Sequence, residues 1–88
     1  MANIKSQIKR NRQNERRRVR NKATRSELKT HAKAVYGAAD SGDAQAAVTQ
    51  LRGASRALDR AASAGSIHRR TAARRKSRLA KAVNAATA

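Results

Sequence analysis

The first features of this 88-residue chain are its absences: it contains no cysteine, proline, phenylalanine or tryptophan. Without cysteine it has neither a disulfide nor a thiolate ligand for a metal. Tyr36 is the one aromatic residue, so a platform of aromatic side chains, on which single-stranded nucleic acids stack in sheet-based binding proteins, is excluded. Because proline is missing, long helices are permitted almost everywhere.

Acidic side chains are also scarce, and the resulting positive charge lies at the two ends of the chain. Lys and Arg number 22 against 5 acidic residues, which gives a net charge of +17. Residues 1–36 hold 12 basic and 2 acidic side chains, residues 37–66 are balanced, and residues 67–88 hold 7 basic and no acidic ones. Such a density repels itself, whereas a polyanion relieves the repulsion and releases counterions. The composition therefore predicts a nucleic-acid partner.

Catalytic and metal-binding chemistry finds little support in the sequence. His31 and His68 are isolated, with no second histidine at ligand spacing, so we expect no metal and no cofactor. The five acidic residues are scattered, and no glycine-rich phosphate loop is present, so we expect a binding protein and not an enzyme. No apolar run has the length of a signal peptide or of a membrane span. We expect a soluble, cytoplasmic protein.

Two breaks divide the chain into helices. Ser41-Gly42-Asp43 offers a glycine stop followed by an Asp N-cap, and Gly65-Ser66 offers a similar arrangement with Ser as the cap. No alternating β-branched run predicts a strand. The sequence predicts one all-α domain over 1–88, an antiparallel three-helix bundle. Its helices are expected at 4–40, 44–63 and 67–86.

Apolar residues at helical spacing define one face of each predicted helix. The first helix contributes Leu28, Ala32, Val35 and Ala39, with Tyr36 expected at the edge of the core. The second contributes Ala44, Ala47, Val48, Leu51, Ala54, Leu58, Ala61 and Ala62, with Arg52, Arg56 and Arg60 on the opposite face. The third contributes Ala72, Leu79, Val83 and Ala86. These faces predict a thin core rich in alanine.

The first helix is too long for its partners. At 1.5 Å per residue it would span about 55 Å, against about 30 Å for each of the others, so its N-terminal part must protrude. That part is basic on all sides and has no continuous apolar seam, a pattern typical of a segment that is unstable alone or surrounded by a partner. We expect residues 2–20 to fray in the free protein and to become ordered when RNA encloses them.

Three stretches resemble one family of proteins. These are the start, Ala2-Asn3-Ile4-Lys5-Ser6 with the basic residues after it; the middle, from Lys33-Ala34-Val35-Tyr36 to Ser41-Gly42-Asp43; and Gly65-Ser66-Ile67-His68 through Leu79. Together they are similar to bacterial ribosomal protein number twenty of the small subunit, over essentially the whole chain. The family commonly has a bulky aliphatic residue at the position of Ser66 and Asn at that of Arg70.

The resemblance implies a three-helix structural protein of the small ribosomal subunit that binds 16S ribosomal RNA directly and clamps neighbouring RNA helices during assembly. It implies a cytoplasmic location on the ribosome, with no membrane partner, no small-molecule substrate and no homo-oligomer. It also implies that the residues at six positions face RNA: Lys5, Lys9, Arg10, His68, Arg74 and Lys76. The full set of expected RNA-binding residues is Lys5, Lys9, Arg10, Arg12, Arg16, Arg17, Arg18, Arg20, Lys22, Arg25, Lys29, His68, Arg70, Arg74, Arg75, Lys76, Arg78 and Lys81.

Two other classes of function fit the charge. A nucleoid-associated DNA-binding protein would use the same cations, but that class is expected to show a dimerisation seam or minor-groove wedge residues. A membrane-active cationic helix would carry Trp, Phe or Leu on its apolar face, where this chain has mainly Ala. The DNA-binding protein is the alternative that we keep.

Overall fold

The computed structural model describes residues 3–87 and folds them into three α-helices, with no strand in that range. The helices are α1 (Asn3–Asp40), α2 (Ala44–Ser63) and α3 (Arg69–Thr87). Each packs against the other two, and the short connections make α2 antiparallel to both neighbours. The predicted all-α bundle with a long first helix is confirmed. Residues 1, 2 and 88, which belong to the predicted domain, lie outside the described residues.

The turn between α1 and α2 forms as the sequence predicts. Gly42 adopts a left-handed conformation, with φ of 76°, and its N–H donates to the Ala39 carbonyl at 3.2 Å. The Ser41 hydroxyl donates to the Ala38 carbonyl at 2.9 Å. Asp43 then caps α2, because its Oδ1 accepts from the N–H of Ala46 at 3.1 Å. The glycine stop and the Asp N-cap are both confirmed.

The end of α2 is a Schellman motif, in which two N–H groups beyond the helix close its last turn. Gly65, with φ of 80°, donates to the Ala62 carbonyl at 3.1 Å, and Ser66 donates to the Ala61 carbonyl at 2.9 Å. Since the Ser66 backbone belongs to this closure, Ser66 does not cap the next helix. The predicted Ser66 cap is therefore wrong.

His68 caps α3, which begins at Arg69 and not at residue 67. The Nδ1 atom of His68 accepts from the N–H of Arg70 at 3.1 Å, and its carbonyl accepts the first helical bond, from Ala72, at 3.1 Å. The helix starts two residues later than predicted because Ser66 and Ile67 complete the Schellman turn. His68 therefore supplies the N-cap of α3.

The core is built mainly from alanine. Among the described residues the buried apolar side chains are Leu28, Val35, Ala39, Ala47, Ala54, Ala57, Leu58, Ala61, Ala72, Leu79 and Val83. Ala44, Val48 and Ala86 were expected on the buried faces but are exposed, since Ala44 and Ala86 lie in terminal turns and Val48 lies on a flank of α2. Ala57 is buried although it was not predicted, because α2 packs more extensively against α1 and α3 than these two helices pack against each other.

The N-terminal part of α1 protrudes from the bundle. Every side chain from residue 4 to residue 20 is exposed, including the apolar Ile4, Ile8 and Val19. The molecule is correspondingly elongated, with principal dimensions of 65 × 20 × 13 Å. The predicted protrusion is confirmed, and residues 4–20 are called the extension below. Within residues 3–87 no helix has both the length and the apolar character that crossing a membrane requires.

Candidate nucleic-acid interface

The extension presents its cations on all sides of the helix. Eight of the expected RNA-binding residues lie on it, and all eight are exposed. Glu15 is its one acidic residue, and its Oε1 lies 2.7 Å from Nη2 of Arg18. This hydrogen bond and the charge of the carboxylate raise the pKa of Arg18 above its ordinary value. One acid therefore faces eight cations, and the segment remains strongly positive.

The expected RNA-binding cations of α3 point in three different directions relative to the bundle. Arg70, Arg74 and Lys81 point away from the core, and Arg75 and Arg78 lie on the flank that faces α1; all five are exposed. Lys76 turns the other way, toward α2. Its Nζ lies 2.8 Å from Oδ1 of Asp59, and its side chain is only 37% exposed. Lys76 thus differs from the other expected RNA-binding residues of α3, because it already pairs with a carboxylate.

Four of the expected residues converge on a single groove between α1 and α3. Arg25 and Lys29 line it from α1, and Arg75 and Arg78 line it from α3. The groove has a volume of about 370 Å³. Its floor is apolar and is contributed by all three helices, by Leu28, Ala32, Ala54, Leu58 and Leu79. This groove therefore combines an apolar floor with a rim of four cations.

The positive rim of the groove continues onto the extension. Arg18, Lys22, Arg25 and Lys29 line one contiguous shallow surface along α1. Their spacing of three or four residues places them on one side of the helix. We call this row, together with Arg75 and Arg78, the basic track. It connects the extension with the groove and joins cations from two helices into one surface.

Tyr36 lines the groove, although its place in the sequence did not predict it as an interface residue. It was expected at the edge of the core, but its side chain is 43% exposed and lines the groove. Arg25, Lys29, Ala32 and Tyr36 follow one another at intervals of four, three and four residues, and so share one side of α1. That spacing was visible in the sequence and could have linked Tyr36 to the basic residues.

The arginines of α2 form a separate and less positive surface. Nη2 of Arg60 lies 3.6 Å from Oε1 of Glu27 on α1, and Nε2 of His31 lies 3.7 Å from the same oxygen. Asp59 on α2 already pairs with Lys76. Glu27 therefore offsets part of the positive charge of Arg60 on α2.

His68 has a role in the fold besides any contact with RNA. Its Nδ1 is occupied as a hydrogen-bond acceptor at the start of α3, which leaves Nε2 to face solvent. His31 lies on another helix, beside Glu27. In the part of the chain that the structure describes, no three His, Cys, Asp or Glu side chains form a group that could hold a metal ion.

The fold and this surface define a class: small, all-α, polycationic proteins whose basic residues on two helices form one surface suited to a polyanion. Comparison with known families is more specific. The sequence matches the family described as Ribosomal protein S20 over residues 2–84. The chain belongs to the ribosomal protein S20 family, as its resemblance indicated.

Individual relatives are similar over nearly their whole length. The small ribosomal subunit protein bS20 of Salinispora tropica is 58% identical over 83 residues, which cover 94% of each chain. That of Frankia casuarinae is 59% identical over 81 residues, or 92% of this chain and 91% of the relative. The protein of Mycobacterium tuberculosis is 55% identical over 84 residues, or 96% and 98%. The chain is accordingly a ribosomal protein of the small subunit.

Proposed function

We propose that this protein binds 16S ribosomal RNA directly and clamps neighbouring RNA helices together as the small subunit assembles. The observation that carries the proposal is the basic track, which joins the extension to the groove between α1 and α3. A surface of this kind can contact two RNA segments at once: one along the extension and one at the bundle. Membership of the ribosomal protein S20 family supports the same role.

The extension would bind RNA by neutralising phosphates. A helix that is basic on all sides has no apolar face to bury and gains most when phosphates surround it. Arginine supplies most of these cations, and its planar guanidinium donates two parallel hydrogen bonds to a phosphate. Such contacts position a protein and do not read the base sequence. Specificity would then come from the shape of the folded RNA, since side chains cannot read the narrow major groove of A-form helices.

The bundle would set the angle between the two contacts. α1 continues from the extension into the core, where Leu28 and Val35 are buried, and α3 is fixed by the buried Leu79 and Val83. The Asp59–Lys76 pair adds a polar link between α2 and α3. The cations of α1 and α3 are therefore held on one rigid frame. In this role the protein is a structural component of the cytoplasmic ribosome, acts as a single copy and catalyses no reaction.

The full set of eighteen expected residues remains the proposed interface, with one refinement. Lys76 has to leave Asp59, or share it with a phosphate, before it can contact RNA. The other seventeen are exposed and need no such exchange, although Arg18 also pairs with Glu15. We infer that Lys76 contributes less to RNA affinity than its neighbours Arg74 and Arg75.

A competition titration tests this proposal. Labelled 5′-domain of 16S ribosomal RNA is bound to the full chain at about 0.2 M salt, where non-specific phosphate binding is strongly weakened. Excess duplex DNA and an unrelated structured RNA are the competitors. Binding that persists against both supports a ribosomal RNA ligand. Equal displacement by every polyanion overturns the proposal, and a preference for duplex DNA favours the nucleoid alternative.

A further inference from the structure

The groove between α1 and α3 is open because neither helix supplies a side chain to fill it. On α3 the apolar stripe is interrupted between Ala72 and Leu79, where Lys76 turns toward Asp59 instead. On α1 the residue that lines this part of the groove is the small Ala32. The result is an open surface groove of about 370 Å³, with a floor that all three helices form.

We propose that this groove binds a single unstacked nucleotide of RNA, with its base on the apolar floor beside the ring of Tyr36 and its phosphate on the cationic rim. The inference rests on the proposed function, which supplies the RNA, and it identifies which part of the RNA enters the bundle. Arg25, Lys29, Arg75 and Arg78 line the groove and provide the cations for the phosphate.

The chemistry of the groove fits a nucleotide better than other occupants. Unpaired RNA bases are bound by stacking on an aromatic ring or a guanidinium plane, and Tyr36, Arg75 and Arg78 supply both kinds of surface. No acidic residue lines the groove. A second copy of this chain, with its own charge of +17, would be repelled.

The single tyrosine makes the proposal directly testable. Since the chain has one Tyr and neither Trp nor Phe, the ring signals of isotope-labelled tyrosine in an NMR spectrum come from Tyr36 alone. The full chain is titrated with a short single-stranded oligoribonucleotide, an RNA duplex and inorganic polyphosphate at equal phosphate concentration. We expect the single strand to shift the Tyr36 signals upfield through the ring current of the stacked base, and polyphosphate to leave them nearly unchanged.

A second test measures RNA binding by variants of the groove residues. Tyr36→Ala is expected to weaken binding to the 16S 5′-domain about ten-fold, since it removes the aromatic ring on which a base would stack, whereas Tyr36→Phe retains the affinity. Val48→Ala is the matched control, because Val48 is an apolar residue of similar exposure, 36% against 43%, on another helix. Ala32→Leu narrows the groove without changing charge and is expected to weaken RNA binding as well.

Two results would overturn the inference. One is a single strand that binds without moving the Tyr36 signals, or moves them no more than polyphosphate does, which would mean that the groove holds phosphate only. The other is full affinity of Tyr36→Ala and Ala32→Leu for an RNA that the wild-type chain binds specifically. In that case the proposed function stands and the groove is not part of it. Loss of the wild-type preference for 16S RNA, with the Tyr36 shift retained, would instead refute the proposed function alone.

Discussion

The ammonium of Lys76 lies 2.8 Å from Oδ1 of Asp59, and this contact joins α3 to α2 across seventeen positions of the chain. Lys76 is one of the residues expected to bind RNA, and this contact places a carboxylate beside it. The lysine side chain is 37% exposed and that of Asp59 is 61% exposed. At such exposure an ion pair contributes little to folding, about 0–1 kcal/mol. For the proposed interface, its larger consequence is that Lys76 has to leave Asp59 before it can contact RNA.

Removing this carboxylate should strengthen RNA binding while hardly changing stability. Asp59→Asn keeps the shape of the side chain and releases Lys76, so we expect the affinity for 16S RNA to rise about two- to five-fold at ~0.1 M salt, where one more cation can neutralise a phosphate. The free energy of unfolding should fall by less than about 1 kcal/mol. Binding titrations and urea denaturation measure the two effects.

Asp43→Asn is the control for that experiment. It removes one negative charge as well, but Asn caps a helix as well as Asp does, so the cap on Ala46 is kept and no lysine is released. A similar gain in affinity for both variants would show a general effect of net charge, and Lys76 would then have no specific contact with RNA.

The extension should contribute more to RNA binding than the arginines of α2. Replacing Arg16, Arg17 and Arg18 by Ala removes three cations from the protruding helix, whereas replacing Arg52, Arg56 and Arg60 removes three from the more neutral surface of α2. We expect the first variant to lose more affinity. Its plot of log affinity against log salt should also be less steep, with the magnitude of the slope reduced by about two to three. The second is its matched control, and equal losses from the two would contradict a special role for the extension.

Hydrogen exchange should divide α1 into two parts in the absence of RNA. Every side chain of residues 4–20 is exposed, so the opening of this segment costs little, whereas the segment that holds the buried Leu28 and Val35 opens only with the bundle. We expect rapid exchange in the extension of the free protein and protection there after RNA is added. Equal protection of both parts without RNA would show that the extension is a stable helix on its own.

The cap of α3 should depend on the imidazole of His68. His68→Ala leaves the N–H of Arg70 without its acceptor, and loss of a side-chain cap typically costs about 1 kcal/mol. His68→Asn offers an oxygen at a similar position and should retain most of the stability. Thermal or urea unfolding of both variants measures this, and equal stability of His68→Ala and wild type would contradict the role of the cap.

The same pair of variants separates folding from RNA binding at this position. If Nε2 of His68 also contacts a phosphate, His68→Asn will fold normally and still bind 16S RNA more weakly. Unchanged affinity of His68→Asn would restrict His68 to its role as a cap.

Much of the fold was predictable because it depends on local signals. Gly42 and Asp43 interrupt the chain with residues suited to a left-handed turn and a cap, and Leu28, Val35, Leu79 and Val83 recur at helical spacing. The start of α3 was predicted two residues too early because Gly65-Ser66 fits two local structures. One is a glycine stop followed by a Ser N-cap, and the other is the end of a Schellman motif. Only the Schellman bonds to Ala61 and Ala62 decide between them.

The sequence predicts which residues form the site but not how those residues are arranged relative to one another. Helical periodicity identifies the cations of α1 and α3, yet it does not say which of them lie side by side across the two helices. The groove depends on where α3 packs along α1, and the Lys76–Asp59 pair depends on where it packs along α2. Such relationships between distant segments arise from tertiary packing. This is why the Lys76–Asp59 pair became visible only in the structure, whereas the helical spacing that relates Tyr36 to Arg25 and Lys29 was already present in the sequence.

Directed cleavage of the RNA from two points on the protein tests the central claim, that the extension and the bundle hold different RNA helices. Because the chain has no cysteine, Gln13→Cys on the extension and Ser77→Cys on α3 each offer one attachment point for an iron chelate that generates hydroxyl radicals. Gln45→Cys on the outer face of α2 is the control. We predict that the first two probes cut 16S RNA at separate helices and that the control cuts weakly. Cleavage of one and the same RNA helix from both positions would contradict the clamp.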